Sequence, residues 1–442
     1  MNKMIKYAMS LLMVMTFCLP NMQAQIVKNQ ENQDVLVNDA NPEQDEEVVE
    51  DSEDSAMADS AMVETIAAET LRLPWTETVK VGLDKLLKSK MFETSQVGIM
   101  VWDLEADSCI YRFRERQLMR PASTMKLVTA ITALDKLGGS YQFKTTLKYT
   151  GTIDNGVLKG DVYCIGGMDP RFNNDDMTAF VTSLKDMGVD SIQGSIYADR
   201  SMKDEDLLGE GWCWDDDNPV LSPLVFGRKD IFMERFLAKL KDAGIFYAGS
   251  GTSVKRCPAS AFTICTRFHT MDQILHKMMK DSDNLYAESM YYQIASSTGN
   301  RPASAKSARN VQRQLVRKIG LDPARYKFAD GSGLSLYNYI SAELEVKLLR
   351  YAYQDENILP HLKQSLPIAG VDGTLKRRMR SGFAHGNVKA KTGTVTGVIG
   401  LAGYCKAANG HDLCFSILNN GIMHSNNARS FADKVCELLC QP

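Results

Sequence analysis

The sequence predicts an α+β fold: an antiparallel sheet flanked by helices and interrupted by a mostly β inserted region. Three observations carry this expectation. Alternating apolar strand patterns occur over residues 96–114 and again over 388–418, so one sheet draws strands from both ends of the body of the chain. Helical periodicity fills the stretches beside them. Between about 143 and 267 the texture changes to short alternating strands separated by Gly and Asp turns.

Taken in order, the 442-residue chain opens with Lys3 and Lys6 ahead of an apolar stretch over 8–19. Asn21-Met22-Gln23-Ala24 then ends on a small residue, the pattern of a cleaved secretory signal over 1–24. The apolar stretch is short for a membrane span, and no later segment is apolar enough to cross, so no transmembrane helix is expected in the mature chain. Cys18 raises a lipoprotein alternative, against which Phe17 stands where such a signal wants a small residue. Residues 25–70 carry fourteen Asp and Glu against Lys28 alone. Such a tract cannot bury enough surface to fold and reads as a disordered linker, or as a docking tail for a basic partner.

The remaining residues have ample apolar content for two or three domains. A helix is expected over 77–90, a hairpin over 96–114, and then a helix whose apolar stripe is Leu127, Val128, Ile131, Leu134 and Leu137. Pro121 suits the first turn of that helix. The inserted region, 143–267, carries strands near 145–149 and 194–197 and one helix near 231–241. Helical patterns resume at Met271, strands follow over 387–392, 398–404 and 413–418 with Asn409-Gly410 as a hairpin turn, and a last helix spans 427–439. Residues 71–142 and 268–442 together form one discontinuous domain.

Three short motifs lie in that domain: Ser123-Thr124-Met125-Lys126, Ser282-Asp283-Asn284 and Lys391-Thr392-Gly393-Thr394. Each alone is weak; their joint occurrence, in this order and these contexts, points to acyl transfer. Ser123 and Lys126, three apart, fall on one helix face. A serine at a helix N-terminus meets free backbone N–H groups and the positive end of the dipole. Lys126, one turn further in, is expected to be neutralised by desolvation and by a second cation nearby, which makes it a base. Ser282 to Asn284 lies on a short connection between two helical patterns, and Lys391 to Thr394 at the end of a strand. Metal-ligand spacing is absent, with no Cys-x-x-Cys and no His-Glu-x-x-His, so neither metal nor other cofactor is expected. None of the six histidines sits in a nucleophile-elbow pattern, which disfavours a Ser-His-Asp hydrolase. Nine of the ten cysteines follow the signal; an odd number cannot pair fully within one chain, and no bridge is assigned.

With these motifs the chain resembles the penicillin-binding, serine-type DD-peptidases, specifically the D-alanyl-D-alanine carboxypeptidase/endopeptidase family of the penicillin-binding protein 4 type. Spacing supports the subfamily: 159 positions separate Ser123 from Ser282, which calls for an extra domain between them. Further matching stretches are Gly166-Gly167-Met168-Asp169-Pro170, Gly211-Trp212-Cys213-Trp214-Asp215-Asp216, Asp330-Gly331-Ser332-Gly333-Leu334-Ser335 and Asp372-Gly373-Thr374-Leu375. One departure is that Leu336-Tyr337-Asn338 follows Ser335, where the family often has a basic residue.

The resemblance implies a β-lactamase/transpeptidase-like sheet domain and peptidoglycan stem peptides as substrate, with β-lactams as acylating inhibitors. It further implies that Ser123 attacks a D-Ala-D-Ala carbonyl, with Lys126 and Ser282 moving protons. The N–H groups of Ser123 and Thr394 would form the oxyanion hole. Asn284 would hold a substrate amide, and Lys391, Thr392, Gly393 and Thr394 the terminal carboxylate. A serine β-lactamase and a non-catalytic wall-binding or sensor homologue are the alternatives; the long insert and the lack of an assignable deacylating Glu weigh against the first, the intact motifs against the second. The whole chain carries −3, but residues after 70 carry +8, which suits an anionic wall polymer or membrane surface as well as an ordinary solvated one. Nucleic acid is not expected as a partner of an exported protein without a binding motif.

Overall fold

The computed structural model describes residues 74–213, 218–249 and 253–442. The expected signal over 1–24 and acidic tract over 25–70 lie outside the described residues, as do Trp214, Asp215 and Asp216.

Helix α1 (Trp75–Leu86) leads into the hairpin of β1 (Gln96–Asp103) and β2 (Ser108–Phe113). A 3-10 turn, Ala122–Thr124, opens α2 (Met125–Leu137). Next come β3 (Gln142–Tyr149), β4 (Thr152–Asp154), β5 (Val157–Lys159), β6 (Val162–Ile165), α3 (Asn174–Asp186), β7 (Ser191–Ile192) and β8 (Ile196–Asp199). They are followed by α4 (Phe232–Asp242), β9 (Phe246–Tyr247), β10 (Ser253–Val254) and β11 (Phe262–Thr270). Helices α5 (Met271–Lys280), α6 (Asn284–Ser296), α7 (Ala305–Lys318), α8 (Ala342–Tyr353) and α9 (Leu359–Ser365) come next. Strands β12 (Lys389–Val395), β13 (Val398–Lys406) and β14 (Asp412–Asn420) and helix α10 (Ser425–Cys440) complete the order.

The five strands β12-β13-β14-β1-β2 make one sheet in which every neighbouring pair is antiparallel. The closing pair is β1 with β14, in register from Gln96 opposite Asn420 to Asp103 opposite Leu413. Alternation along the strands sorts two cores. Val97, Ile99, Val101, Phe415 and Ile417 pack with α1 and α10, whereas Met100, Ala402, Tyr404 and Leu418 pack with α2, α5, α6 and α8. Because both faces are covered, β13 and β14 read as continuous apolar runs rather than alternating ones. The expected antiparallel sheet flanked by helices is thus the architecture of this part of the chain.

Helix α2 is deeply enclosed. Met125 through Leu134 are all buried, so it is apolar all round and not merely striped. Its buried threonines are satisfied, Thr129 across to Gly331 O at 2.7 Å and Thr132 within the helix to Val128 O at 2.6 Å.

The strands between 142 and 270 form two further sheets, in the orders β10-β8-β6-β3-β11 and β4-β5-β7-β9. Both contain parallel pairs, β6 with β8 and β5 with β7, so helical crossovers are required. Helix α3 is one of these, and the sequence reading expects only a helix near 231–241. Asn173-Asn174-Asp175-Asp176 forms a capping box that places carboxylates on the positive end of a helix. Phe180 of α3 and Phe236 of α4 pack with Leu147 and Val162 in a separate core.

Candidate active site

Ser123 sits on the 3-10 turn, two residues before the first residue of α2, with Lys126 in the first turn of that helix. The Lys126 Nζ lies 2.9 Å from Ser123 Oγ, and it donates to Asn284 Oδ1 at 2.7 Å and to the Ser332 carbonyl at 2.9 Å. The side chain has no solvent exposure. The two carbonyl oxygens can only accept. When the amine is neutral its two N–H groups go to them, and the lone pair is left for the Ser123 hydroxyl. That arrangement converts a lysine into a base for one chosen proton.

Burial pulls the Lys126 ammonium down to about 8, against the pull of Asp330, Asp283 and Glu288, whose negative charges favour the cation. The second cation expected beside it is Lys391, equally buried on β12, donating to Ser282 Oγ at 2.8 Å and to Thr392 O at 2.9 Å. Lys391 is held well below the ordinary lysine range, first by burial and second by the charge of Lys126. The repulsion therefore falls on Lys391 rather than on Lys126 as expected from the sequence. The physical reason is that Lys126 has three acidic neighbours, while Lys391 hydrogen-bonds only a hydroxyl and a carbonyl.

Asp281, Ser282 and Asp283 form the connection between α5 and α6, and Asn284 is the first residue of α6. Ser282 adopts φ +60°, a conformation unusual for a side-chain-bearing residue. Asp283 fixes the following turn, accepting from Tyr286 N at 3.3 Å, and its other oxygen receives Arg228 Nη1 at 3.0 Å. Strand β12 runs against the 3-10 turn: a Cβ on Gly393 would lie 2.6 Å from Pro121 O, so only glycine lets strand and turn approach this closely. Thr392 Oγ1 donates to Thr374 Oγ1 at 2.8 Å, and Thr394 faces solvent on the same strand. The described residues thus bring together Ser123, Lys126 and Asn284 through one hydrogen-bonded group, and Ser282, Lys391 and Thr392 through another.

No role for the stretch 330–335 is evident from the sequence. In the structure its Ser332 carbonyl is the third partner of Lys126. Asp330 holds the loop in shape, accepting from Gly333 N at 2.8 Å, Ser335 N at 2.7 Å, Asn338 Nδ2 at 2.8 Å and Trp212 Nε1 at 2.8 Å. Buried Glu288 accepts from Gly331 N at 3.0 Å and Ser332 N at 2.8 Å, and burial raises its carboxyl to about 8. The signal available was Asp-Gly-Ser-Gly, a loop in which a short acidic side chain gathers successive backbone N–H groups.

A model of the D-Ala-D-Ala carboxypeptidase 3 (S13) family matches residues 79–226 and 224–441. The D-alanyl-D-alanine carboxypeptidase DacB of Haemophilus influenzae is 26% identical over 419 residues, covering 76% of this chain and 87% of the relative. A D-alanyl-D-alanine carboxypeptidase of an Actinomadura species is 26% identical over 442 residues, covering 78% and 81%. Among solved structures, penicillin-binding protein 4 of Haemophilus influenzae superposes with a TM-score of 0.73 at 24% identity, covering 80% of this chain and 97% of that one. The same protein complexed with a β-lactam gives 0.69 at 25% identity, covering 82% and 100%.

Proposed function

The chain belongs to the D-Ala-D-Ala carboxypeptidase 3 (S13) family and is a serine-type DD-peptidase, a hydrolase; from that premise we propose how its residues divide the work. Ser123 is the nucleophile and Lys126 its base, and the observation that carries this assignment is the Lys126 amine, whose only free acceptor role points at Ser123 Oγ. Lys126 takes the hydroxyl proton as Oγ bonds to the carbonyl carbon of the penultimate D-Ala. The N–H groups of Ser123 and Thr394 receive the oxyanion, where loss of one donor typically costs about a hundredfold or more in rate. Ser282, bonded to Lys391, relays a proton to the departing D-Ala amine, and water then releases the acyl peptide. Asn284 orients the substrate amide, while Lys391, Thr392, Gly393 and Thr394 bind the terminal carboxylate. An arriving carboxylate favours the protonated form of Lys391, so substrate binding and ionisation of this group are coupled.

Peptidoglycan stem peptides are the proposed substrates and β-lactams the proposed inhibitors, the latter supported by the β-lactam complex of the Haemophilus relative. We further propose export through a cleaved signal over 1–24, a spacer over 25–70, a catalytic body of 71–142 and 268–442, and an insert of 143–267. The five-stranded sheet, built from strands before 114 and after 388, supports the division. No helix among the described residues is long and apolar enough to cross a membrane.

Labelled penicillin and a D-Ala-D-Ala stem peptide test the assignment. Ser123→Ala is expected to lose both the covalent adduct and D-Ala release; persistence of either in the folded variant rules Ser123 out as nucleophile.

A further inference from the structure

One sizeable cavity has no residue of the three motifs in its lining. It measures about 730 Å³ and is walled by β3, the loop after β10 and the end of α6. Gln293 of α6 contributes to its wall, nine residues beyond Asn284, which is about 13 Å along a helix. Volumes of this size accommodate a small ligand or a short segment of a longer one.

Its polar groups divide sharply into used and unused. Gln293, buried, donates to Gly167 O and accepts from Tyr141 Oη at 2.9 Å. Asp199, also buried, has both oxygens committed to backbone, accepting from Ser201 N at 2.9 Å and Cys257 N at 2.8 Å. Among its charged groups, those left over are cations. Lys144, Lys148, Arg256 and Arg301 all line the cavity, and none of their side chains has a hydrogen bond or ion pair among the described residues. Lys144 and Lys148 project from the same face of β3, about 13 Å apart at the rise of a strand. Cations spaced in this way match charges carried at intervals along an extended chain better than one compact anion. Lys and Arg are also the partners that carboxylates select.

We propose that this cleft is a second substrate site, holding a carboxylate-bearing stem of the wall polymer while another stem of the same strand lies at Ser123. The inference rests on the peptidase reading above and extends it: the substrate is a polymer gripped at two places, and the insert supplies one of the grips. Binding there raises the local concentration of further stems at the catalytic serine without touching the chemistry.

The test compares two substrates on the full chain: soluble peptidoglycan strands bearing many pentapeptide stems, and the free pentapeptide. The paired substitutions Lys144→Glu with Lys148→Glu, and Arg256→Glu with Arg301→Glu, are each expected to raise KM for strands tenfold or more. They leave kcat, cleavage of free pentapeptide and penicillin acylation within twofold of wild type. Added salt narrows the gap between wild type and variants. An unchanged KM on strands, or equal losses on both substrates, overturns the proposal. So does inorganic polyphosphate displacing strands where polyglutamate at equal charge does not, since that reassigns the cleft to a phosphate polymer. Cosedimentation of Ser123→Ala protein with strands reads the cleft without catalysis; if wild type failed on free pentapeptide while this binding persisted and depended on the four cations, the peptidase reading would fall and the cleft would stand.

Discussion

At the scale of single residues, Lys126 is placed so that its charge state controls the reaction. The base form is the neutral amine, and with the group near 8 that form grows as pH rises through about 8. Acylation by penicillin is therefore expected to climb over that range. Asp283 is one of the three carboxylates that favour the ammonium. Asp283→Asn keeps a side-chain oxygen for the helix cap but removes the charge, so the rising limb shifts to lower pH; a limb that stays or moves up contradicts this electrostatic account. The same burial has a price in stability. Unfolded lysine titrates near 10.5 and the folded one near 8, so between these values the unfolded state binds more protons and stability increases with pH. The difference amounts to roughly 3 kcal/mol. Lys126→Met lacks it, and urea unfolding at pH 7.5 and 10.5 should show wild type gaining about that much on the variant; parallel behaviour of the two would mean the amine is not depressed.

At the scale of elements, the site depends on how closely β12 and the 3-10 turn approach. Gly393→Ala places a methyl 2.6 Å from Pro121 O and 3.1 Å from Thr124 N, both backbone atoms that cannot swing aside. Turn and strand must separate by several tenths of an ångström or more, and misplacement of about 1 Å can cost a hundredfold in rate. Acylation is expected to fall at least tenfold while melting moves only a few degrees; a variant of normal rate would show that this approach does not set the geometry. The three motifs were legible in the sequence because each joins reactive side chains within four residues. The 330–335 loop had no such signature for its role, because it acts through a backbone carbonyl and a hub of N–H groups, and a carbonyl is carried by every residue. Helix α3 was missed for a related reason. Asn and Asp serve turns and helix caps equally, and the deciding contacts, Phe180 against Phe172 and the α4 side, are tertiary.

At the scale of the whole molecule, the central sheet was legible as a pairing of distant strands, but the way the insert reaches into the site was not. Trp212 donates to Asp330, and Arg228 pairs with Asp283, so two residues from the middle of the chain brace the two segments that contact Lys126. Nothing in the spacing of 212 or 228 announces this. The contacts permit a definite test of how far the insert is separable. Strands β3 and β11 are antiparallel neighbours with Tyr149 opposite Phe262, so replacing residues 150–261 by Asn-Gly closes them as a hairpin with a turn suited to its twist. The shortened chain keeps the five-stranded sheet, all three motifs and both of its cores except for Val225. It is expected to unfold cooperatively and to take up labelled penicillin, about tenfold more slowly than the full chain because Asp330 and Asp283 have each lost a charged or N–H partner. It should also lose any preference for polymeric strands over free pentapeptide, since the wall of the cationic cleft has gone. Acylation at the full rate would mean that Trp212 and Arg228 do not brace the site. A folded but unlabelled variant would mean that the insert belongs to the acylating machinery itself.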